Sequence, residues 1–218
     1  MRVCSQSLLK VAGVFFRNYT MPTDSYEKPD FWSRKAFKEG YPARSVYKLE
    51  EIDRKFGIIR PGAAVLDLGA APGSWTSFLL RRLNGNGSVV SVDLRPLSKS
   101  VVGSNLTFLQ GDLLSADMVE QVRALGPYDL VVCDAAPSTT GNRTVDTARS
   151  AGLVEMAFYY AELMLRKNAS FAVKVFQGGE QQALLKKMRT VFSAAKGFKP
   201  AACRSESFET YLIGLNKK

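Results

Sequence analysis

From residue 63 onward, short runs rich in β-branched and aliphatic residues alternate with stretches of helical periodicity. The apolar runs are "AAVLDLG", "SVVSVDL", "LTFLQGD", "YDLVVCDAA", "SFAVKVFQ" and finally "FETYLIGLN". Helical patterns follow several of them: "SWTSFLLRRLN", "LLSADMVEQVRALG", "VDTARSAGLVEMAFYYAELMLRKN" and "EQQALLKKMRTVFSAA". Strands separated by helices pair through crossovers, which lays them parallel and covers both faces of the sheet. Burial on both faces explains why the runs are nearly continuously apolar instead of alternating. The chain end departs from this order, because "PAACRSESFETYLIGLN" reads as two short strands joined by a polar turn with no helix between. Such a hairpin predicts an antiparallel edge pairing on an otherwise parallel α/β sheet.

The chain has 218 residues, which fits one domain of ordinary size. Residues 26–218 are expected to form that domain, and residues 1–25 an N-terminal tail or a start upstream of Met21. Residues 1–23 carry Arg2, Lys10 and Arg17 but no acid, a composition that also resembles a mitochondrial presequence. No apolar run reaches the roughly 20 residues that span a bilayer, so no membrane partner is expected. Cys4, Cys133 and Cys203 lie far apart without CxxC spacing, which predicts neither a metal site nor a disulfide framework and favours a reducing, cytoplasmic setting.

The 30 Lys and Arg exceed the 20 Asp and Glu by ten, which favours an anionic partner such as nucleic acid. There is no histidine. That excludes nucleophile–histidine pairs and His-ligated metals, and leaves Lys, Asp, Glu and Tyr for proton transfer.

In an open α/β sheet, ligands bind beyond the carboxyl ends of the strands. The first run ends in "DLGAAPGSW", where Gly69 and Gly73 allow a tight turn and close approach to a ligand before the next helix. The second ends in Asp93, twenty residues after Gly73, where an acid can accept both hydroxyls of a ligand ribose. The third ends in "QGD", with Asp112 placed to accept from an adenine amino group. The fourth ends in "DAAPS", beginning at Asp134, and the fifth carries Lys174 among apolar neighbours, where an ammonium is expensive to desolvate. A glycine turn alone specifies a turn; two acids closing the next two strands make it specify an adenosine-containing ligand.

Together "DLGAAPGSW", "QGD", "CDAAPS" and "VKVFQG" closely resemble the FtsJ-type ribose 2′-O-methyltransferases over residues 26 to 216. The resemblance implies a seven-stranded, Rossmann-like methyltransferase sheet with an antiparallel last strand. It implies S-adenosylmethionine as cofactor, surrounded by Gly69, Gly73, Trp75, Asp93, Asp112 and Asp134. It also implies a catalytic Lys, Asp, Lys, Glu set, which falls on Lys48 in "SVYKLEEI", Asp134, Lys174 and a glutamate of the last strand. Glu206 and Glu209 both stand there, and the family pattern selects Glu209, two residues before Tyr211. Ser74 and Ser138 replace the usual glycine and asparagine, and no arginine directly precedes Glu209.

A free lysine, ionising near 10.4, cannot take a proton at neutral pH. Burial and a neighbouring cation lower that value, and nearby acids raise it. Lys174 is therefore expected as the proton acceptor or hydroxyl-orienting group, with Lys48 as its electrostatic partner. The substrate implied is a uridine of large-subunit ribosomal RNA, with the protein acting as a monomer. A transfer RNA, a non-catalytic assembly role and a dinucleotide-dependent oxidoreductase on the same sheet are the competing readings. RNA contact is expected from the basic, aromatic segment before the sheet. It interleaves Lys28, Arg34, Lys35, Lys38, Arg44 and Lys48 with Tyr26, Phe31, Trp32, Phe37, Tyr41 and Tyr47.

Overall fold

The computed structural model describes residues 30–178, 180–204 and 207–218. The tail, Tyr26, Lys28 and Glu206 lie outside the described residues. Among the described residues two helices precede the sheet: α1 (Phe31–Lys38), capped by Asp30 through the Ser33 N–H, and α2 (Val46–Phe56), which ends at Gly57 in the left-handed region. The basic, aromatic segment before the sheet is thus largely helical.

There follow β1 (Ala64–Leu68), α3 (Ser74–Leu83), β2 (Ser88–Asp93), β3 (Leu106–Gln110), α4 (Ala116–Ala124) and β4 (Tyr128–Cys133). The chain closes with α5 (Arg143–Met164), β5 (Leu165–Phe176), α6 (Glu180–Val191), β6 (Phe192–Phe198) and β7 (Glu209–Lys217). The seven strands form one sheet in the order β3-β2-β1-β4-β5-β7-β6. β1 to β5 are parallel, and β7 runs antiparallel to both its neighbours.

The closing hairpin corrects the sequence reading in one respect. Its first strand is Phe192–Phe198, read as the end of a helix, whereas Pro200–Arg204, read as a strand, lies between strands. Phe192 is fully buried against the sheet, so tertiary packing overrides the helical pattern there. The edge pairing is antiparallel as expected: β6 is outermost and pairs with β7, which inserts between β5 and β6. β5 also begins earlier than read, at Leu165, directly from α5.

The strand period of two divides the core. Phe171, Val173 and Val175 of β5 join the cluster shared with α5 and α6, while Ala172 joins the cluster packed on α2 and α3. Lys174 falls in the phase of Ala172. The valines that flank it in sequence therefore pack on the opposite face, where α5 and α6 lie.

Candidate active site

Lys174 sits on the central strand β5, opposite Tyr211 in the antiparallel register with β7, and Phe176 opposes Glu209. Residues directly opposite share a face, and so do residues two apart. Lys174, Tyr211 and Glu209 therefore rise on the same side of the sheet. Asp134 follows the end of β4, the parallel neighbour of β5. On that side α2 brings Lys48 over the strands, buried to 8% exposure although lysines of amphipathic helices are ordinarily solvated.

These side chains make two lysine–acid pairs. Lys174 Nζ donates to the Asp134 carbonyl at 2.6 Å and lies 3.2 Å from Asp134 Oδ1. Lys48 Nζ donates to Glu209 Oε1 at 2.6 Å. Tyr211, unread as a site residue in the sequence, donates its hydroxyl to Asp134 Oδ1 at 2.6 Å. The signal for it was present: it stands two residues after Glu209 on a strand.

The charges decide the ionisation of the group. Burial alone would raise the Asp134 carboxyl, but the Lys174 and Lys48 ammonium groups and the Tyr211 hydrogen bond outweigh it and hold it below the usual carboxylate range. Burial would likewise lower Lys48, yet Asp134 and Glu209 hold it above the ordinary lysine value. Tyr211, buried beside those acids, is raised well above the ordinary phenol value and stays a donor. Burial also pushes the neighbouring Cys203 thiol up to about 11, which leaves it a neutral neighbour of Glu209.

The loop after β1 is built for close approach. Gly69 has φ +68°, and a Cβ there would meet the Ala135 Cβ at 2.6 Å; Gly73 has φ +105°, and a Cβ would meet Val101 Cγ2 at 2.6 Å. Asp93 holds this loop, accepting from Ala71 N at 2.9 Å through Oδ2 and from Arg95 N at 2.8 Å through Oδ1. A carboxylate has about four lone-pair sites, so both oxygens keep capacity for a ligand hydroxyl. Leu94, next in the chain, is 49% exposed and offers an apolar face beside it. Asp112 Oδ1 accepts from Leu114 N at 2.9 Å, which fixes the turn after β3.

Trp75 is placed differently from the expectation of a side chain beside the cofactor. It is 2% exposed, its Nε1 donates to the Ser45 carbonyl at 2.8 Å, and its ring lies 5.8 Å from that of Tyr211. It ties the start of α3 to the turn that enters α2, leaving its backbone as the part nearest the loop. Asp67, at the end of β1, is buried. Its Oδ2 accepts from Thr76 Oγ1 at 2.7 Å, and Oδ1 has no hydrogen-bond partner among the described residues. Burial raises its carboxyl to about 7.

The basic segment divides between core and surface. Trp32, Tyr41 and Tyr47 pack with Ala36, Val46 and Ala202 in a satellite core, while Phe31 and Phe37 are exposed. Arg44 pairs with Asp30 and donates to the Ala202 carbonyl at 2.6 Å, and Glu51 accepts from the Ala201 and Ala202 N–H groups. Arg34 and Lys38 face solvent. A cleft of about 440 Å³ opens over the Lys48–Glu209 pair, lined also by Arg44 and Arg204. Among the described residues no helix is long and apolar enough to cross a membrane.

The strand order and the antiparallel β7 define an open, mostly parallel α/β sheet that recurs in solved chains. A solved chain from Plasmodium falciparum described as a ribosomal RNA methyltransferase shares this fold with TM-score 0.72 at 24% identity, over 81% of this chain and 98% of its own. Methanococcus jannaschii fibrillarin, a pre-rRNA processing protein, does so with TM-score 0.55 at 15% identity, over 73% of this chain and 69% of its own. Residues 41–217 match the FtsJ-like methyltransferase family, and the chain belongs to that family. Treponema denticola ribosomal RNA large subunit methyltransferase E is 59% identical over 91% of this chain and the whole of its own length. The protein of the same name from Oleidesulfovibrio alaskensis is 46% identical over 87% of this chain and 92% of its own. The chain is thus a methyltransferase, as its motifs implied.

Proposed function

We propose that this protein transfers the methyl group of S-adenosylmethionine to a ribose 2′-hydroxyl of large-subunit ribosomal RNA, at a uridine presented by the ribosomal particle in the cytoplasm. The observation that carries the reading is the convergence of Lys48, Asp134, Lys174 and Glu209, drawn from α2, β4, β5 and β7, on one face of the sheet beside the Gly69–Gly73 loop. The names of the relatives support the large-subunit substrate.

The residues fit the cofactor. The positive φ and the missing Cβ at Gly69 and Gly73 let the loop turn tightly and pack directly on Ala135 and Val101, the kind of turn that precedes a ligand-facing helix start. Asp93 offers a carboxylate for the ribose, Leu94 an apolar face for the base, and Asp112 an acceptor for its amino group. S-adenosylmethionine, when bound, supplies a methyl group on an electron-poor sulfur that a hydroxyl oxygen can attack.

The chain's own task is to position and deprotonate. Lys174, anchored through Asp134, takes or aims the proton of the 2′-hydroxyl at Nζ. Asp134 fixes that amine, and Tyr211 keeps the Asp134 carboxylate ionised and oriented. Lys48, held cationic by Glu209, places positive charge beside the developing alkoxide. Holding oxygen and methyl in line supplies much of the acceleration. Proton transfer contributes about 10²–10⁴-fold.

The test is to map 2′-O-methylation across total RNA with and without the protein. The expected result is the loss of one ribosomal uridine mark and its return when purified protein and S-adenosylmethionine are added to the large subunits. Loss of a mark confined to transfer RNA would move the substrate, and no lost mark would sink the reading.

A further inference from the structure

A second cleft of about 480 Å³ lies beside the first and shares Ala43, Arg44 and Arg204 with it. It runs between α1, which contributes Ser33 and Phe37, and the loops after β1 and β2, which contribute Pro72 and Arg95. Its size falls in the range of roughly 300–1,000 Å³ typical of small-ligand sites. Three guanidinium groups line it and no carboxylate does. Asp30 pairs with Arg44 and Arg204, and Asp93 lies 3.8 Å from Arg95, but neither acid lines the cleft.

Phe37 is the odd residue of this wall. It is 58% exposed on a helix whose other inward aromatic, Trp32, is packed into the satellite core. An exposed ring facing a cationic cleft matches what an unpaired nucleotide needs: a flat face for the base and fixed cations for the phosphate. Because the two clefts share Ala43, Arg44 and Arg204, a strand with its reacting ribose over Lys48 has the second cleft next to it.

We propose that this second cleft binds the nucleotide adjacent to the methylated one, with its base stacked on Phe37 and its phosphate held by Arg204 and Arg95. The proposal rests on the RNA-methylating reading above and adds a subsite to it. It makes Phe37 a determinant of RNA affinity without a part in the chemistry.

The experiment measures methyl transfer by the full chain to large ribosomal subunits from cells lacking the activity, with labelled S-adenosylmethionine. Phe37→Ala is expected to raise KM for the particles about tenfold, the scale of one lost base–aromatic stack. Its kcat should stay near that of the wild type, and Phe37→Trp should restore KM. Arg204→Gln should reduce the slope of log affinity against log salt by about one. An unchanged KM in Phe37→Ala, or a parallel loss of S-adenosylmethionine affinity showing that the cleft serves the cofactor, overturns the subsite while an active wild type leaves the enzyme reading standing. A wild type inactive on the particles overturns that reading and the subsite with it.

Discussion

The two lysine–acid pairs are nearly equal in burial, with side-chain exposures of 8% and 15% for Lys174 and Asp134 and 10% and 15% for Lys48 and Glu209. Their supports differ. Asp134 is gripped by Lys174 at both its carbonyl and its carboxylate and by the Tyr211 hydroxyl, all on interior strands of the sheet. Glu209 is the first residue of β7, meets Lys48 from a helix, and lines a cleft. The same ion-pair chemistry is therefore held by three contacts in one place and by one contact beside a cleft in the other. Placing a reacting amine calls for the first, whereas charge stabilisation tolerates the second, because Coulomb energy falls slowly with distance and proton transfer needs hydrogen-bond reach.

The sharpest break of that comparison is Lys174→Ala. It should lower kcat by about 10³-fold, within the range for loss of a positioned proton-transfer group, with S-adenosylmethionine affinity held within twofold in a titration. A wild-type rate would end the assignment. Tyr211→Phe comes next. A hydrogen bond to a charged group contributes about 1.5–3 kcal/mol, so kcat should fall roughly ten- to a hundredfold. Its pH profile carries the sign: Asp134 is held low in part by this donor, so removing it raises the carboxyl and moves the acid limb of the rate profile to higher pH. An unmoved limb would make Tyr211 a packing residue.

Glu209→Gln should cost less, about two- to tenfold, because the amide still accepts from Lys48 and Asp134, the larger of the two charges that raise Lys48, remains. If it equalled Lys174→Ala, the two pairs would not differ in role. The smallest expected effect on catalysis is that of Asp67→Asn, read out instead in stability. The Asp67 carboxyl is raised in the fold from 3.8 to about 7, so the folded state binds more protons than the unfolded state between those values. Its contribution is present below the unfolded value and is lost as pH rises through about 7. Denaturant midpoints at pH 5 and pH 8 should therefore differ less in Asp67→Asn than in the wild type.

Much of the site was legible because it is local. Gly69, Gly73, Asp93, Asp112 and Asp134 follow strand ends, and a strand end is marked by where an apolar run stops. Lys174 was visible as a charge that its own strand could not explain. The Lys48–Glu209 contact was not visible from spacing, since 161 residues separate the partners, and it reached the reading through family resemblance. Trp75 shows what spacing leaves out: its place in the glycine motif is local, but the bond from its indole N–H to the Ser45 carbonyl joins residues 30 apart.

The sequence by itself determined the alternating α/β order, the glycine loop, the acids at the strand ends and the absence of histidine, all properties of neighbouring residues and their period. Tertiary structure decided which strand stands beside which. It inserted β7 between β5 and β6, set Tyr211 opposite Lys174, buried Lys48 under the same face, and put the two clefts side by side. These depend on register and on the desolvation of paired charges, which are set by groups distant in the chain and so carry no local pattern.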